Sequence, residues 1–222
     1  MNIATVGAVA DTVKTRTYRS TLRAEKAQQT RRSVLLAARS LFVEQGYEGT
    51  SVAAVAAAAG VSVDTVYASV GRKPELAVAV VDMVLASSDE PVPARERDYV
   101  VAVQAAGTAR EKLAVYAAAL RTLIPRVAPL LEALRRAGEV DEASARAHRA
   151  VMDRRAANML IHARDLRATG EVRDDLSDQD VADIVWSTNA PDYWLAMQSR
   201  GWSATRWSNL LEDLWCRVLL SP

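Results

Sequence analysis

The 222-residue chain has a single cysteine, Cys216. It therefore cannot form an internal disulfide or build a zinc site from several thiolates, and a reducing compartment is the default. Histidine is nearly as scarce. His148 and His162 are 14 residues apart in a stretch that reads as one helix. At that spacing they lie about 40° apart in azimuth but about 21 Å apart along the axis, too far to share an ion, so no metal site is expected. No apolar run reaches the roughly 18 residues of a bilayer span. No continuous apolar segment follows a basic start, so no secretion signal is expected. No membrane association and a cytoplasmic location are the expectations. Also absent are a glycine-rich phosphate loop, a nucleophile elbow, a metal-spaced His/Glu motif and a plausible Cys–His pair. Neither catalysis nor a cofactor is expected.

Half of the residues are hydrophobic and a quarter are charged, as in an ordinary folded protein with length for one large domain or two small ones. The net charge is only +1, but it is unevenly spread. Residues 1–73 carry ten Lys/Arg and five acids, a net +5, which leaves −4 on the remainder. A basic front on an acidic body suits a polyanion that meets the front alone. Residues 1–26 are polar, with scattered bases (Lys14, Arg16, Arg19, Arg23) and no helical period. They read as a flexible basic arm, either solvated or following a DNA minor groove.

The rest reads as all-α. Val34, Leu35, Ala38, Leu41 and Phe42 fall on one face of a helix over about 27–45, with Gly46 as a left-handed terminator. Thr50 or Ser51 caps a second helix through Ala59, and Ser62 caps a third, Val63 to Ser69. Pro74 opens a fourth, reaching about Ser87. Residues 88–98, with two prolines, form a connector. Beyond it, helices are expected near 95–105, over 109–123 ending at Pro125, over 127–137, over 141–168, and over 177–188, 191–199 and 203–220. No segment alternates like a strand. The expected units are the arm, a helix-turn-helix head over 27–88, and a larger helical domain over 89–222.

The head carries the functional signal. Residues 51–69 read as helix, Ala59-Gly60-Val61 turn, helix. The small corner residues allow the steep crossing that lets a second helix present its start to a major groove. Arg32, Ala37-Ala38, Leu41-Phe42, Gly46-Tyr47, Thr50-Ser51-Val52, Val55-Ala56, Ala59-Gly60-Val61-Ser62, Thr65-Val66-Tyr67, Lys73 and Glu75-Leu76 resemble the TetR family of bacterial transcriptional regulators. Asp192-Tyr193, Gly201-Trp202, Arg206-Trp207 and Leu219-Leu220 are more loosely similar to the tail of many members.

The resemblance implies an all-α homodimer with DNA-binding heads and a larger helical domain for a small effector and for dimerisation. It places Val63, Asp64 and Thr65 at bases, and Thr50, Ser51, Tyr67 and Lys73 at phosphates. Ser62 and Ser69 complete the expected DNA-binding set. The chain departs from the family at Val70, where an aromatic is usual, and at Ser69, often a histidine. The smaller Val70 should loosen packing beneath the recognition helix. Asp64 is also unusual facing DNA, since it repels phosphate, although it could accept from cytosine N4.

An effector cavity is expected among Tyr116, Leu120, Leu130, Leu134, Met152, Met159 and Trp186. Asn158, His162 and Asn189 are its polar anchors, and Tyr193 stands beside the helix break at Asn189–Pro191. Trp207, Leu211, Leu214 and Trp215 form a stripe on the last helix. That stripe is either core or, as the family's dimer bundle implies, a subunit interface. The expected partners are double-stranded DNA, an unknown small-molecule effector and a second copy of the chain. The expected function is a ligand-responsive regulator acting as a repressor on a palindromic operator and released by its effector. The alternative is a DNA-binding dimer without an effector.

Overall fold

A computed structural model describes the backbone of residues 7–88 and 92–221, with side chains from Arg23 onward. The arm cations Lys14, Arg16 and Arg19 therefore lie outside the described side chains. Among the described residues the chain forms ten α-helices and no strand, with a lone backbone bridge between Val172 and Leu220. The helices are α1 (Gly7–Gly49), α2 (Val52–Ala59), α3 (Val63–Ser69), α4 (Lys73–Ala86), α5 (Asp98–Ala105), α6 (Ala109–Ala137), α7 (Glu142–Arg167), α8 (Asp178–Thr188), α9 (Pro191–Ser199) and α10 (Ala204–Leu219). α1 begins well before the expected residue 27, because no glycine or proline interrupts 8–45. At Gly46 the backbone turns to φ 71° and ψ 174°: φ is positive as expected, but ψ is extended.

The remaining ends follow local chemistry. Ser51, Ser62, Thr108, Asp141, Ser177 and Ser203 each accept a backbone N–H at the start of a helix. Each satisfies a donor that would otherwise have no intrahelical partner.

One expected boundary is wrong. Pro125 and Pro129 do not divide two helices; both lie inside the 29-residue α6. Each proline removes one backbone donor. Pro125 is only half-buried and Pro129 is exposed, so the freed carbonyls can reach water. The opposite face keeps Leu120, Leu123, Ile124, Val127, Ala128 and Leu131 buried, and this packing carries the helix through. α6 is also long and apolar enough to pass a length-and-composition test for a membrane span. Here it is the central rod, packed by α4, α5, α7, α9 and α10.

Two apolar cores result. The head core gathers Val34, Leu35, Ala38 and Phe42 of α1, Val55 and Ala56 of α2, Val66 of α3, and Leu76, Ala77 and Val80 of α4. It is closed by Leu134 of α6, a residue expected to line the cavity, which is instead fully buried against the head. The second core runs along α6 and takes in Leu113, Leu120, Val181, Val185, Trp194, Trp207, Leu211 and Trp215. α4 serves both, since its Val81 belongs to the second core.

Trp207, Leu211 and Trp215 have no solvent exposure within the single chain. They are the core of the subunit, which corrects the interface assignment of the stripe; Leu214 is only half-buried. Trp207 meets Trp194 at 5.4 Å between ring centroids, and the Trp215 indole N–H donates to Thr188 Oγ1 at 2.7 Å.

Candidate DNA-binding face and effector cavity

The axes of α2 and α3 bend by 96°. Gly60 makes the corner in the left-handed region, at φ 68° and ψ 31°. Val66 points into the core with no exposure, so the opposite side of α3 faces outward. Asp64 is exposed there and Tyr67 is 47% exposed. At the start of α3, Ser62 Oγ accepts the Thr65 N–H at 3.1 Å and lies 2.8 Å from Thr65 Oγ1. Ser51 is exposed at the start of α2, and Val63 is half-buried against the head core. The outward face thus carries Ser51, Ser62, Asp64, Thr65 and Tyr67.

Other members of the expected set stand differently. Thr50 is buried and its hydroxyl donates to the Gly46 carbonyl at 2.8 Å, so that proton is not free for a phosphate. Ser69 turns its hydroxyl to the Val66 carbonyl. Lys73 opens α4, with Nζ 4.3 Å above the Tyr47 ring centre and 3.4 Å from the Glu48 carbonyl. Sequence reasoning missed Arg31, which donates to the Ser69 carbonyl at 2.6 Å and ties α1 to the end of the recognition helix. It carried no signal beyond being one base among several.

Above the head lies a cavity of about 1180 Å³ bounded by α4, α5, α6 and α7. Of the expected lining, Tyr116, Leu120, Asn158, Met159, His162 and Asn189 are present. Leu130, Leu134, Met152, Trp186 and Tyr193 are not on its wall: Leu134 belongs to the head core, Leu130, Met152 and Tyr193 pack against the second core, and the Trp186 ring lies under the Arg155 guanidinium. At the head end the wall includes Arg31, Leu35 and Val70, so the cavity reaches the end of α3.

The polar groups of the cavity are mostly spoken for. Asp82 pairs with Arg97 and Arg154, each at 3.2 Å. Asp165 pairs with buried Lys112 at 3.0 Å. Asn189 is buried, donates to Tyr116 Oη at 2.9 Å and accepts from Arg155. Burial pushes the Tyr116 phenol well above its usual range and drives His162 down from 6.5 to about 4, so the imidazole is neutral at pH 7. His162 Nε2 is buried without a hydrogen-bond partner. Sequence reasoning did not find Arg155, Asp82 or Arg97, because charged residues on a helical pattern read as solvated faces.

The comparisons agree with this architecture. Residues 34–80 match the family model for bacterial regulatory proteins of the tetR family. A TetR transcriptional regulator from Chloroflexus aurantiacus is 21% identical with a TM-score of 0.60, covering 89% of this chain and all of its own. A Saccharomonospora viridis protein assigned as a transcriptional regulator and solved with choline is 16% identical, with a TM-score of 0.64 over 86% of this chain and 98% of its own. The SmeT–triclosan complex is 19% identical, with a TM-score of 0.61 over 86% of this chain and 92% of its own. A search of curated sequences finds no match. Residues 34–80 thus match the helix-turn-helix segment of the tetR family, and over 89% of its length the chain has the fold of a TetR regulator.

Proposed function

We propose that this chain is a ligand-responsive transcriptional regulator acting as a repressor. It binds a palindromic operator as a homodimer and is released by a small effector held in the α4–α7 cavity. The observation that carries this reading is the pairing of an outward recognition helix, on a net-basic segment, with a cavity whose wall reaches that helix's end. Thr65 and Asp64 read bases, Val63 contributes apolar contact, and Ser51, Tyr67 and Lys73 hold phosphates. Thr50 leaves this set, because its hydroxyl and its backbone N–H both donate inward, to the Gly46 and Tyr47 carbonyls.

An effector can change DNA affinity only by binding the two head geometries unequally. Arg31 and Val70 on the cavity wall support such a link, since both touch the end of α3. Two proteins of the same fold were solved with small molecules, choline in one and triclosan in the other. A cavity of about 1180 Å³ also favours this reading over a dimer with no effector.

The test is selection of bound fragments from the source genome, followed by titration of the purified protein on the recovered site. Recovery of a two-fold symmetric site bound by two chains supports the reading. No preference over random duplex at low salt sinks it.

A further inference from the structure

On the α7 wall of the cavity one charge has no carboxylate partner. The Arg155 guanidinium sits on the wall and makes only neutral contacts: the Asn189 side-chain and backbone oxygens, the Trp186 carbonyl, the Met152 sulfur and the face of Trp186 at 5.6 Å. No carboxylate lies within ion-pair distance of it among the described residues, in contrast to Arg97, Arg154 and Lys112. Asp192, at the start of α9, acts on it only at longer range. Burial disfavours the charged form of this guanidinium, so the folded chain keeps an uncompensated cation in a partly dry pocket. Nearby, neutral His162 presents an unpartnered buried Nε2, and its ring centre is 5.0 Å from that of Tyr116. The α6 side of the wall is apolar beyond Tyr116: Leu120, Leu123, Ile124, Val127 and Leu131.

We propose that the cavity takes an amphiphilic carboxylate, its anion at Arg155 with a second polar contact at His162 and its apolar body along α6. This rests on the proposed function and names the effector's chemical class. Arg97 and Arg154 share the single carboxylate of Asp82, so that cluster keeps a net positive charge that also favours an anion. A cationic ligand would meet Arg155 head on.

The test is direct binding without DNA, read from tryptophan fluorescence and calorimetry at neutral pH below micelle concentrations. The probes are decanoate, decanol and decyltrimethylammonium, with 2-naphthoate and 2-naphthol as a planar pair. A charge-assisted contact predicts that at least one carboxylate binds about tenfold or more tighter than its neutral partner, with no saturable binding of the cation. Arg155→Met should erase the preference while leaving the neutral probe's affinity within about threefold, and Arg155→Lys should keep part of it, since the charge stays but the planar fork is lost.

The proposal is overturned if the neutral partner matches its carboxylate, if the Met variant keeps the preference, or if no probe saturates. The wild-type series decides the matter even if the Met variant does not fold. A carboxylate that binds a protein with no operator preference would sink the regulator reading and leave this one standing. Operator release by neutral probes alone would do the reverse.

Discussion

Lys73 joins two roles that sequence alone cannot separate. Its ammonium lies over the Tyr47 ring and against the Glu48 carbonyl, which holds it at the start of α4 beside the recognition unit. If it meets a phosphate there, Lys73→Ala should weaken binding to every duplex and reduce the log–log salt slope by about one. Titration at several salt concentrations checks this, and an unchanged slope removes Lys73 from the phosphate set. His162 makes a prediction about stability instead. Its folded pKa is lowered from 6.5 to about 4, chiefly by burial, with Lys112 acting in the same direction and Asp165 opposing. Because the unfolded chain takes up the proton first, this contribution is complete above pH 6.5 and is lost as pH falls toward about 4. The loss runs at about 1.4 kcal/mol per pH unit in that window. His148, lowered mainly by burial, adds in the same sense. Denaturant unfolding from pH 7 to 4 should show this slope, and His162→Gln should flatten it; an equal slope in the variant would refute the assignment.

Elements were legible wherever the signal was local. Ser51, Ser62, Ser177 and Ser203 name their helix starts because a short polar side chain is the best acceptor for the orphan N–H groups. Gly60 names the α2–α3 corner because only glycine takes that conformation without strain. Where tertiary packing overrides the local rule, legibility ends. Pro125 breaks a helix in isolation, yet α6 runs through it, held by its buried face. Six of the residues expected at a cavity lie on the wall of this one, but Arg155 was not among those expected, since no spacing rule separates a buried cation from a solvated one. The corner also predicts a measurable cost. A Cβ at Gly60 would meet nothing within 4 Å, so Gly60→Ala should cost only the left-handed strain, about 1–2 kcal/mol. Gly60→Asn should recover part of it, since asparagine tolerates that region. Thermal unfolding of the two variants tests this, and equal losses would mean that something other than backbone conformation sets the cost.

At the scale of the whole molecule, the C-terminal tryptophans decide what holds the second domain together. The stripe of Trp207, Leu211, Leu214 and Trp215 reads from sequence as either core or a subunit interface, and the family's dimer bundle points to the second. Instead α10 lays Trp207, Leu211 and Trp215 against α6 and the neighbouring helices, with Tyr116 stacked on Trp215 and Trp194 tilted against Trp207. A stripe at i, i+4, i+7 and i+8 states that a helix has an apolar side; it does not state whether the cover comes from the same chain. The two cases make opposite predictions for Trp207→Ala. Removing a fully buried indole from a subunit core leaves a large void and should cost about 3–5 kcal/mol, a big share of a domain's net stability. Any assembly of the surviving folded chains should stay as in the parent, because the surface that forms it is untouched. Removing it from an interface would leave the monomer's stability intact and shift the association equilibrium. Sedimentation and thermal unfolding on the same sample separate the two, and a stable, folded variant of smaller assembly would return the stripe to the interface.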